Sequence, residues 1–125
     1  MKETDILFIR EYIGLLNTVD QAFTYIDEKP LIMQTKAVQA MMPNIVSAWM
    51  QMDKANQQLR ILISDDGFNA SIDVFESIVG DFGERNDLYT QHQEKVTHYV
   101  LKNLSPSYHD WKQQAETKLQ QYVQN

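Results

Sequence analysis

A single apolar line through residues 38–63 constrains this chain more than any other feature. Wound at 3.6 residues per turn, Val38, Met41, Met42, Ile45, Trp49, Met52, Leu59 and Ile63 fall within about 60° of one direction. Pro43 falls on the opposite side, where its missing N–H and its ring bend a helix convex toward solvent. The stretch therefore predicts one long helix, kinked at Pro43, that curves around a core built from the rest of the chain.

The flanking segments repeat the pattern. Thr4 or Asp5 is placed to cap a first helix that runs to about Glu28, where Lys29-Pro30 ends it. Its apolar residues form two adjacent stripes, Ile6/Ile9/Ile13/Leu16/Phe23 and Phe8/Tyr12/Leu15/Val19/Ile26. Together they cover more than half the circumference, more than one neighbouring helix hides. The second stripe is thus either enclosed by several helices or offered to another molecule.

Ser64-Asp65-Asp66-Gly67 reads as a turn, with glycine at positive φ. Asn69 then caps a third helix carrying Ile72, Phe75, Val79 and Phe82 inward. Gly80 and Gly83 each cost roughly 1 kcal/mol in a helix interior, which predicts a break near Gly83. Asn86 or Asp87 would cap a fourth helix to about Asn103, with Tyr89, Val96, Tyr99 and Val100 inward. Ser105-Pro106 opens a last one, lined by Tyr108, Trp111, Ala115, Leu119 and Tyr122.

No strand-like alternation interrupts these segments, and no repeat is visible. The expectation is an all-α, up-and-down helical bundle of four to five helices, forming one domain over residues 1–125. An aromatic-rich first helix, a proline-bent second helix around Met42-Pro43-Asn44-Ile45-Val46 with Trp49 behind it, and a final Trp111 helix resemble a group of small uncharacterised all-helical proteins of Gram-positive bacteria. That resemblance implies a fold and no chemistry.

Composition excludes several functions. A net charge of −6 and a pI near 4.9 oppose general nucleic-acid binding. The chain has no cysteine, hence no disulfide and no thiolate zinc site. The acidic N-terminal residues do not resemble a signal peptide, and no apolar run approaches the roughly 18 residues of a membrane span. A cytoplasmic protein without membrane contact is the expectation.

Groups that could carry chemistry are few. His92 and His98 stand about 120° apart on a helix, too far around to share a metal. Glu94 and His98, four apart, read as an exposed side-chain pair. The Asp65-Asp66-Gly67 turn lacks the ligand spacing of a calcium loop, and the Glu-x-x-His and His-Glu-x-x-His signatures are missing. No metal and no cofactor are expected. Arg85 and His92, with six residues between them and Asn86 after the arginine, resemble the looser form of the motif in HEPN ribonucleases. On one continuous helix they would share a face, with histidine moving a proton from a ribose hydroxyl and arginine stabilising phosphate charge. The His-x-Tyr continuation of that family is not met, since Gln93-Glu94 follows His92.

Methionine supplies the remaining feature. Met33, Met41, Met42, Met50 and Met52 cluster around the second helix, and thioethers suit a groove that accepts varied apolar helices. Met50 falls off the main face and is expected to be exposed. The leading reading is a non-enzymatic protein acting through protein contacts, as a homodimer, adaptor or chaperone, with Tyr12, Leu15, Val19, Ile26 and Met50 as contact residues. A ribonuclease using Arg85 and His92 is the alternative, and a carrier with an apolar cavity between helices a third.

Overall fold

The structure, a computed structural model, describes residues 1–124. It consists of α1 (Glu3–Asp27), α2 (Leu31–Leu62), α3 (Asp66–Leu88), α4 (Gln93–Tyr99), a π-helical turn (Val100–Leu104) and α5 (Ser105–Val123). Among the described residues there is no strand. The connections are short enough to make sequential helices antiparallel neighbours, and α4, the π turn and α5 form one continuous arm. The result is the expected all-α bundle, with four long helical units.

Several helix boundaries differ from expectation. α1 starts from Lys2, whose backbone N–H donates to Asp5 Oδ2 at 3.3 Å, so neither Thr4 nor Asp5 is the cap. Asp5 instead reaches back from the first turn, where a carboxylate also complements the helix dipole. α3 starts four residues earlier than predicted. Its cap is Asp65, whose Oδ1 accepts from the N–H groups of Gly67 (2.7 Å) and Phe68 (3.2 Å). Gly67 lies in the first helical turn, and no glycine has positive φ. A carboxylate satisfying two orphan donors outweighs the turn preference of Asp-Gly.

α3 also runs unbroken through Gly80 and Gly83, so Asn86 and Asp87 lie inside it instead of capping a fourth helix. Tertiary burial of Phe75 and Phe82 at its core face overrides the glycine penalty. Ser105 has helical φ and ψ and caps nothing. Its hydroxyl, buried, donates to Asp27 Oδ2 at 2.8 Å, tying the arm to the end of α1. The π turn just before it has a steric cause. Pro106 offers no N–H and its ring crowds the carbonyl four residues back, which one extra residue in the turn relieves.

α2 extends over 32 residues, about 48 Å, with Pro43 inside it and exposed. Its inner line is buried as the spacing predicts, apart from half-buried Met41. Trp49 is the centre of an aromatic core, with ring centroids 5.9 Å from Phe82, 6.3 Å from Phe23 and 6.4 Å from Phe75 and Tyr108. Trp111 closes the other side and donates its indole N–H to Ser71 O at 2.8 Å. These tilted and edge-on pairs add to the area each ring buries.

Helix α1 lies between α2 and α5 and packs closely on both. Both of its apolar stripes are consequently enclosed. Tyr12, Val19 and Ile26 are at most 2% exposed and Leu15 is half-buried against the core. The contact stripe expected from the sequence is therefore interior, because two neighbouring helices cover an arc that one could not. The contact between α2 and α3 is much looser, and the chain opens there.

Candidate functional site

Where α2 and α3 separate, their facing sides enclose a groove of about 600 Å³. Val46, Trp49, Met50 and Asp53 recur along α2 at helical spacing and form one wall. Glu76, Val79, Gly80, Gly83 and Asn86 do the same along α3. Phe75 and Phe82 join Trp49 in the lining, and Trp49 stands edge-on to both, at interplanar angles of 84° and 72°.

Two features set this groove apart from a packing gap. Met50 is 63% exposed at its edge, a large apolar side chain that the bundle does not use. Gly80 and Gly83 leave the α3 wall bare, and a Cβ added to either meets nothing within 4 Å. The space above both residues is open. Trp49, only 2% exposed, has an indole N–H without an acceptor among the described residues.

A second depression continues the first, lined by Val38, Gln39, Met42, Pro43 and Val96 and sharing Val46, Phe82 and Asn86 with it. The two together follow α2 from Lys54 back to Val38, about 24 Å at 1.5 Å per residue.

The Arg85 and His92 pairing looks different in three dimensions. α3 ends at Leu88 and His92 precedes the first turn of α4, so the continuous helix that would align them is not formed. Arg85 instead borders a small polar cleft with Tyr89, Glu94, Lys95, His98 and Tyr99. Its Nε lies 3.7 Å from Asp81 Oδ1, and its guanidinium sits 5.7 Å above the Tyr99 ring. Tyr99 donates its hydroxyl to Asp81 Oδ2, and burial followed by that bond holds the phenol well above its ordinary range. Asp81 thus meets the Arg85 charge, and Glu94 shares the cleft with Lys95. Glu94 reaches His92 Nδ1 at 3.9 Å, which corrects the expected pairing of Glu94 with His98.

No three acidic or histidine side chains among the described residues stand close enough to hold a metal ion. No helix among them is long and apolar enough to cross a membrane.

The sequence anticipated an exposed Met50 but placed the contact stripe on α1. The signal it missed was Gly80 and Gly83, read as helix breakers although they share a face with Glu76 and Val79. In comparison with known proteins, residues 7–114 match a family described as a domain of unknown function (DUF8042). No curated protein and no solved structure matches the chain.

Proposed function

The chain belongs to the DUF8042 family, whose function is not known, and from the geometry we propose that it is a non-enzymatic protein-docking module that receives a segment of another polypeptide between α2 and α3. One observation carries this reading: an apolar trough about 24 Å long, edged by an exposed methionine and floored by aromatic rings. Methionine adapts its shape to varied apolar partners, and an elongated groove suits a helix better than a compact ligand. Adaptor and chaperone roles both fit such a trough. A homodimer formed through the α1 stripe does not, since Tyr12, Val19 and Ile26 are enclosed by the bundle.

The test compares affinity purification with the wild-type chain, with Met50→Glu, and with Thr117→Glu on the exposed side of α5. A protein retained by the wild type and Thr117→Glu, but lost with Met50→Glu at unchanged thermal stability, supports the reading. Equal retention by all three proteins removes it.

A further inference from the structure

We draw no further inference here: the strongest candidate, the apolar trough between α2 and α3, lined by Trp49 whose indole N–H has no acceptor among the described residues, carries lining charges of both signs in Asp53, Glu76 and Lys54, and nothing in the structure shows what covers it.

Discussion

Tyr12 on α1 donates its hydroxyl to Asn56 Oδ1 on α2 at 2.5 Å, inside a region where both residues are 2% exposed. The Asn56 Nδ2 group beside that bond has no partner among the described residues. Two helices are thus joined by one polar contact that already leaves a donor unspent. Tyr12→Phe leaves the Asn56 amide with neither interaction and is expected to cost about 1–3 kcal/mol in a urea titration. Adding Asn56→Leu to Tyr12→Phe is expected to recover most of that loss, because the pair is then replaced by apolar groups of similar size. A double variant no more stable than Tyr12→Phe alone contradicts this account.

Alkaline pH should unfold the protein through its buried phenols. Burial pushes Tyr12 and Tyr108 well above the ordinary tyrosine value, which lies near 10. Below that value both states keep their protons and the contribution is complete. Above it the unfolded phenols ionise while the native ones stay protonated, so the unfolded state binds fewer protons and stability falls. The expected slope approaches about 1.4 kcal/mol per pH unit for each phenol above about pH 10. Denaturant midpoints measured from neutral pH to about pH 11 check it, and Tyr12→Phe should make the decline shallower.

The α3 cap separates two assignments cleanly. Asp65→Ala removes the acceptor of the Gly67 and Phe68 N–H groups and should cost about 1 kcal/mol. Asn69, the cap expected from sequence, has a buried Oδ1 with no partner among the described residues. Asn69→Ala should therefore fall within about 0.5 kcal/mol of wild type or stabilise slightly. Thermal melts that rank the two variants the other way would return the cap to Asn69.

Gly80→Ala and Gly83→Ala should each stabilise the protein by about 0.5–1 kcal/mol, since α3 is helical at both positions and the space above them is open. Calorimetry on each single variant measures this directly. A destabilisation at either position would mean that the helix needs the glycine for its own packing.

The sequence alone determined that this chain is a helical bundle and which line of α2 faces inward. Side chains from Val38 to Ile63 recur at helical spacing, and burying apolar surface is favourable whichever neighbour supplies the cover. It also placed Met50 outside, because that residue falls off the same line. Only the packed structure decided what lies against what. The α1 stripe through Tyr12, Val19 and Ile26 reads equally well as core or as interface until two flanking helices are seen to enclose it. Arg85 and His92 align only while residues 85–92 are taken as one helix, and α3 ends at Leu88. Gly80 and Gly83 likewise change meaning from break to trough once Phe75 and Phe82 hold α3 straight against Trp49. Periodicity is a property of one segment and survives in any fold, whereas a groove is a distance between two segments and exists only after they have packed.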